Sequence, residues 1–86
     1  MNNEDLRLAI HNILLFSWDP IGVKDNLKAQ NEYDNYIPGI IKLIKANVDV
    51  NRMKSHLIQI QQVSMGFSVA SLNIDEVAKQ LVQLSN

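Results

Sequence analysis

The residues best suited to chemistry lie in two short segments in the first half of the chain. Residues 18–23 read WDPIGV and residues 32–36 read EYDNY. Together they supply three carboxylates, Asp19, Glu32 and Asp34. If these groups met in a cleft, they could bind a hard cation through oxygen or raise one another's pKa for acid–base work. A small carboxylate-based metal-binding or hydrolytic protein is therefore one prediction.

Both segments also have structural interpretations. In the first, Asp19 would cap a turn, proline and glycine would shape that turn, and Trp18 would fill the core. In the second, acids would sit at a helix N-terminus because the helix dipole favours them, while Tyr33 and Tyr36 would be half-buried with wet hydroxyl groups. A third interpretation joins the two segments into one polar recognition surface.

Other common chemistries find little support in the sequence. The chain has no cysteine, which excludes disulfides, thiolate zinc sites and cysteine nucleophiles. His11 and His56 lie far apart, and neither has a second histidine at a ligand spacing. No serine lies in a Gly-x-Ser-x-Gly turn, and the three glycines are too widely separated to cradle a phosphate. We predict a non-enzymatic protein without a cofactor or an identifiable small-molecule substrate.

The composition is that of a small globular protein. The 86 residues are 47% hydrophobic and 20% charged, with a formal net charge of −1. This length predicts one domain spanning residues 1–86, and this charge gives no general attraction to nucleic acid or to an anionic membrane. The longest apolar run has four residues, from Ile13 to Phe16, and the acidic start does not resemble a signal peptide. We expect a cytoplasmic protein that binds neither nucleic acid nor membrane.

Apolar spacing predicts an all-α fold, a compact bundle of about four short helices. The first helix is expected from Glu4 to about Phe16, where Asp19-Pro20 ends it and Trp18 folds back onto the core. The second is expected over residues 31–46. Pro38 should kink it, or should begin a new helix after a short one that ends near Tyr36; we favour the kink.

The last two helices carry clearer boundary signals. Asp49 should cap the third, with Asn47 and Gly66 in the left-handed positions that end the second and third helices. Asn73 should cap the fourth, with Glu76 completing a capping box and Leu72 and Val77 forming a hydrophobic staple. The predicted inward residues of these two helices are Val50, Met53, Leu57, Ile60, Val63, Val77, Ala78, Leu81 and Leu84.

A charge-free stretch is the most unusual feature of the sequence. Residues 55–74 contain no Asp, Glu, Lys or Arg. The predicted outer face of the third helix carries Ser55, Gln59, Gln61, Gln62 and Ser64 instead. Protein interfaces are depleted in Lys, Glu and Asp, so this face and the corner at residues 65–67 are predicted to bind a partner or a second copy. The alternative is that other helices cover the stretch.

The paired motifs carry a family resemblance. WDPIGV followed by EYDxY, together with Met65-Gly66 after the third helix, resembles the YugE-like family of small bacterial proteins of unknown function. The resemblance implies a small α-helical cytoplasmic protein and no particular activity. Similar WDPIG-bearing proteins look like companions of toxin genes, which suggests an immunity or antitoxin role.

Our leading hypothesis from the sequence is a protein-interaction module of a regulatory or immunity-like kind. Its surface would consist of Trp18, Asp19, Glu32, Tyr33, Asp34 and Tyr36. Aromatic contacts ringed by acids would suit a basic protein partner. The alternatives are the carboxylate-based metal or hydrolytic protein and a structural subunit of a homo-oligomer.

Overall fold

The described part of the chain forms four short α-helices and three other helical segments. The computed structural model describes residues 2–19, 22, 26, 32–66 and 73–85. The α-helices are α1 (Asn3–Asn12), α2 (Ile37–Lys45), α3 (Val50–Gln59) and α4 (Ile74–Gln83). A π-helix (Ile13–Trp18) continues α1, a 3₁₀ turn (Asp34–Tyr36) leads into α2, and a second π-helix (Ile60–Ser64) continues α3. The described residues include no β-strand, and the predicted all-α bundle is confirmed.

Some predicted features lie outside the described residues. They are the Pro20-Ile21 part of the turn, Val23, the expected helix start at Asn31, the corner at Phe67 and the staple residue Leu72.

Apolar side chains from all four α-helices meet in one core. The first π-helix packs against α4, α3 packs against α4, and α1 packs against α2. The buried apolar residues are Leu6, Ile10, Leu14, Leu15, Trp18, Tyr33, Ile37, Ile40, Ile44, Met53, Leu57, Ile60, Ile74, Val77, Ala78 and Leu81. No helix in the described part of the chain is both long and apolar enough to cross a membrane.

Several helix ends form as the sequence predicts. The Asp49 carboxylate accepts the Arg52 backbone N–H at 2.8 Å and so caps α3. Asn47 takes the left-handed conformation (φ 56°) after α2, and its N–H donates to the Ile44 carbonyl. Gly66 is also left-handed (φ 76°) and follows Met65, the residue that ends the second π-helix. A residue with positive φ ends a helix, and asparagine and glycine adopt this conformation at the lowest cost.

The second helix is broken before Pro38 and does not kink there. A 3₁₀ turn ends at Tyr36, and α2 begins at Ile37 with Pro38 in its first turn. The favoured kink is therefore wrong, and the alternative of a break is correct. The physical reason is that a first-turn residue has no intrahelical partner for its N–H, so a proline there costs no hydrogen bond.

The π-helices change which residues are buried. Val63, predicted to face inward, is 75% exposed, whereas Gln61, predicted on the outer face, is 1% exposed. After Ile60 the backbone bonds five residues back, as the Met65 N–H does to the Ile60 carbonyl at 3.0 Å. A turn closed in this way is wider than an α-turn, so a period of 3.6 residues no longer tells which side chains face the core.

Helix α4 begins where expected, but not by the expected mechanism. Asn73 is its N-terminal flanking residue, yet the Asn73 side chain makes no capping hydrogen bond. Its amide group donates instead to the backbone carbonyl of Ser17, in the first π-helix. The predicted capping role of Asn73 is therefore wrong, because the amide is engaged in a contact between two elements.

Candidate functional site

Trp18 and Tyr33 belong to the core. Their side chains are 3% and 1% exposed, and the ring centroids lie 5.8 Å apart with the planes tilted by 44°. The Trp18 indole N–H finds no acceptor among the described residues, so this side chain contributes to the fold through its apolar ring. The prediction that these two aromatics would contact a partner is corrected here, because neither is accessible from the surface.

Asp19 ties the two motif segments together. The Tyr33 hydroxyl donates to Asp19 Oδ1 at 2.8 Å. The Asp19 backbone is left-handed (φ 36°), and its carbonyl accepts the Gly22 N–H at 3.2 Å. A backbone hydrogen bond therefore joins the first and last residues of the predicted turn, and the Asp19 carboxylate positions the buried tyrosine.

Asp34 joins the 3₁₀ turn to α1. Its Oδ1 lies 2.7 Å from Nδ1 of His11, and the two side chains are 39% and 23% exposed. Glu32 is exposed to solvent. Within the part of the chain that is described, no three or more His, Asp or Glu residues form a group that could hold a metal ion. The predicted convergence of Asp19, Glu32 and Asp34 on a cation is thus not what the structure shows.

A cleft of about 290 Å³ lies at the surface. The 3₁₀ turn and the start of α2 form one side of it, and the end of α3 and the second π-helix form the other. It brings together Tyr36, from the second motif, and the uncharged face of the third helix. The described lining residues include no Asp, Glu, Lys or Arg. They are Asn35, Tyr36, Gly39, His56, Gln59, Ile60, Val63 and Ser64.

Close approach of α2 and α3 forms one wall of this cleft. A Cβ atom placed on Gly39 would lie 3.5 Å from Nε2 of His56, in ordinary van der Waals contact. Burial, and then the positive charge of Arg52, lowers the pKa of His56. A lowered pKa keeps the imidazole neutral at pH 7, so His56 brings no charge into the cleft.

A second cavity, of about 280 Å³, lies between the start of α1 and the ends of α2 and α4. It includes Lys45 but no residue of either motif. Of these two cavities, the cleft at Tyr36 is the one that contains residues from the second motif and from the charge-free stretch.

Sequence reasoning found two halves of this cleft without joining them. Tyr36 was predicted as a surface residue, and the charge-free stretch was predicted as an interface. Gly39 and His56 were not predicted to be functional residues, and their types and positions in the sequence do not mark them as neighbours. The contact between α2 and α3 at this point depends on how the whole bundle packs, which local signals in the sequence do not predict.

Comparison of the chain with protein-family models, with curated proteins and with solved structures found no match. The resemblance to the YugE-like family stays a prediction from the two motifs.

Proposed function

We propose that this protein is a non-enzymatic module that binds a protein partner through the cleft at Tyr36 and the surface around it. The observation that carries the proposal is the meeting of the EYDNY segment with the charge-free face of the third helix. Surface helices usually carry charges on their outer side, whereas the centres of protein interfaces are depleted in them.

Exposed side chains extend the surface beyond the cleft. Val63 is 75% exposed at its edge, and Gln59 and Ser64 beside it are exposed as well. An apolar centre with an uncharged polar rim is the usual arrangement of an interface. Such a surface supports binding of a protein partner.

The motif residues divide into two roles under this proposal. Trp18, Asp19 and Tyr33 hold the second motif in place from inside the fold. Glu32, Asp34 and Tyr36 stay at or near the surface, where the two acids would favour approach of a basic partner through long-range attraction. A regulatory or immunity-like role is the particular form that we propose, in line with the resemblance to the YugE-like family.

Site-specific photocrosslinking tests the proposal. A photoreactive phenylalanine analogue replaces Gln59, which lines the cleft, and in a control replaces Gln83, an exposed residue on α4. We expect a discrete crosslinked protein in the native cell from position 59 and none from position 83. Equal crosslinking from the two positions, or none from position 59, would contradict the proposal. Crosslinks only between two copies of the chain would support the homo-oligomer alternative instead.

A further inference from the structure

We infer, on the basis of the proposed function, that the cleft receives an uncharged aromatic side chain with a polar edge, tyrosine or tryptophan, from the partner protein. The inference rests on the volume of the cleft, on the chemistry of its lining and on its charge.

The volume suits an aromatic group. A water molecule occupies about 30 Å³ in the liquid, so a cleft of about 290 Å³ has room for a group the size of several water molecules. A tyrosine or tryptophan side chain is of this size, whereas a valine or alanine side chain would leave most of the space unfilled. Tyrosine and tryptophan are also the aromatic residues most often found at the energetic centres of interfaces.

The lining matches both ends of such a side chain. Tyr36 and His56 offer rings for stacked or edge-to-face contacts, and Ile60 and Val63 offer apolar surface. Asn35, Gln59 and Ser64 carry amide and hydroxyl groups that can donate to or accept from a phenol or an indole N–H. An aliphatic side chain would leave these polar groups without a partner from the bound molecule.

Charge disfavours the other anchors that interfaces commonly use. Among the described residues, no carboxylate lines the cleft to pair with an inserted arginine or lysine. The charge of Arg52 is also near enough to act on the imidazole of His56, so a cation in the cleft would meet repulsion.

Titration of the full chain with small probes, followed by amide chemical shifts in nuclear magnetic resonance, tests the inference. The probes are N-acetyl-tyrosinamide, N-acetyl-leucinamide and N-acetyl-argininamide at millimolar concentration. We expect saturable shifts at Gly39, His56 and Gln59 with the tyrosine probe, and at least about fivefold weaker binding of the other two. Equal binding of the leucine or arginine probe, or shifts outside the cleft, would overturn the inference.

Gly39→Ala supplies a matched variant. The added methyl group meets no clash with His56, and alanine in place of a helical glycine preserves or raises stability. The methyl group occupies the cleft, so we expect about tenfold weaker binding of N-acetyl-tyrosinamide, the loss typical of overpacking. Gln83→Ala, at an exposed position of α4 outside the cleft, should leave binding unchanged. Unchanged binding by Gly39→Ala would overturn the inference.

The photocrosslinking and the probe titration distinguish failure of the proposed function from failure of this inference. Crosslinks from position 59 without binding of the tyrosine probe would overturn this inference and leave the proposed function standing. Probe binding without any crosslink would overturn both, and would make the cleft a site for a free small molecule. Concentration-dependent shifts at Phe16, an exposed aromatic residue of the first π-helix, would identify a second copy as the occupant and would also overturn the inference.

Discussion

At the scale of single residues, the hydrogen bond between Tyr33 and Asp19 holds the second motif against the first. Its donor is a nearly inaccessible phenol, and its acceptor is a half-buried carboxylate. A buried hydrogen bond to a charged acceptor contributes more to stability than one between neutral groups. Removing the donor leaves a partly buried carboxylate without this bond, which costs free energy. The signature residues therefore matter first for stability.

Tyr33→Phe tests that role. We expect a loss of about 1–2 kcal/mol in the free energy of unfolding, measured by urea denaturation, because the ring stays and the donor is removed. Tyr36→Phe, at a half-buried position, is the matched control and should change stability by less than about 0.5 kcal/mol. Similar losses in both variants would contradict the structural role given to Tyr33.

The lowered pKa of His56 makes a prediction about acid stability. Its cause is first burial and then Arg52, so the folded protein binds a proton at this site less readily than the unfolded chain does. Stability from this site is fully present above the ordinary histidine pKa of about 6.5 and falls as the pH drops below it, until the folded protein also binds the proton.

His56→Gln separates this effect from that of His11. Unfolding free energies measured between about pH 7.5 and 5.5, one unit either side of the ordinary pKa, should fall less steeply in the variant than in the original protein. Identical pH dependence in both proteins would show that His56 does not contribute in this way.

At the scale of secondary-structure elements, the two π-helices decide which faces are buried. Each continues an α-helix, and each is followed by a left-handed residue, Asp19 in one case and Gly66 after Met65 in the other. π-Helices are rare and are found frequently at functional sites. Here the second one presents Val63 and Ser64 to the cleft.

A pair of alanine substitutions tests the geometry of the second π-helix. Gln61 is buried and has an interaction partner, so Gln61→Ala should lower the free energy of unfolding by about 1–3 kcal/mol. Val63→Ala, at a 75% exposed position, should change stability by less than about 0.5 kcal/mol. The reverse order in thermal or urea denaturation would mean that the third helix keeps its α-helical register to the end.

The start of α4 gives a test that separates a cap from a contact between elements. Asn73→Asp keeps a good capping residue but replaces the amide donor with an acceptor that faces the Ser17 carbonyl. We therefore expect a loss of about 1 kcal/mol in the free energy of unfolding. A variant as stable as the original protein would show that position 73 acts as an ordinary cap.

Local rules in the sequence predict some elements well. Asp49, Asn47 and Gly66 act on their own neighbours in the chain, so their positions could be predicted without knowing the fold. Of the two interpretations of Trp18, the one that places its ring in the core is confirmed. Apolar spacing was sufficient to predict the all-α class.

Most of the features that the sequence did not reveal depend on partners distant in the chain. Asn73 bonds Ser17, His11 bonds Asp34, and Lys54 forms an ion pair with Asp75 at 2.7 Å. The burial of Gln61 and the exposure of Val63 follow from a change of helical period that no composition rule marks. The candidate site was thus predicted in two separate halves, and two of its predicted residues, Trp18 and Tyr33, belong to the core.

At the scale of the whole molecule, the bundle places a short, uncharged groove on a protein with little stability to spare. A domain of this size buries only about 60–65% of the surface of its unfolded chain, so its free energy of unfolding is small. The cleft depends on α2 and α3 meeting at Gly39 and His56, which lie 17 positions apart in the sequence (56 − 39). The proposed interface therefore exists only if this pairing of helices is correct.

The nuclear Overhauser effect between the α-protons of Gly39 and the Hε1 proton of His56 measures this pairing most directly. The structure places the imidazole Cε1 atom 3.6 Å from the position of a Cβ on Gly39, so we predict a clear cross-peak in the unbound protein. Absence of that cross-peak, with both residues assigned and α2 and α3 formed, would contradict the account and remove the cleft on which both proposals rest.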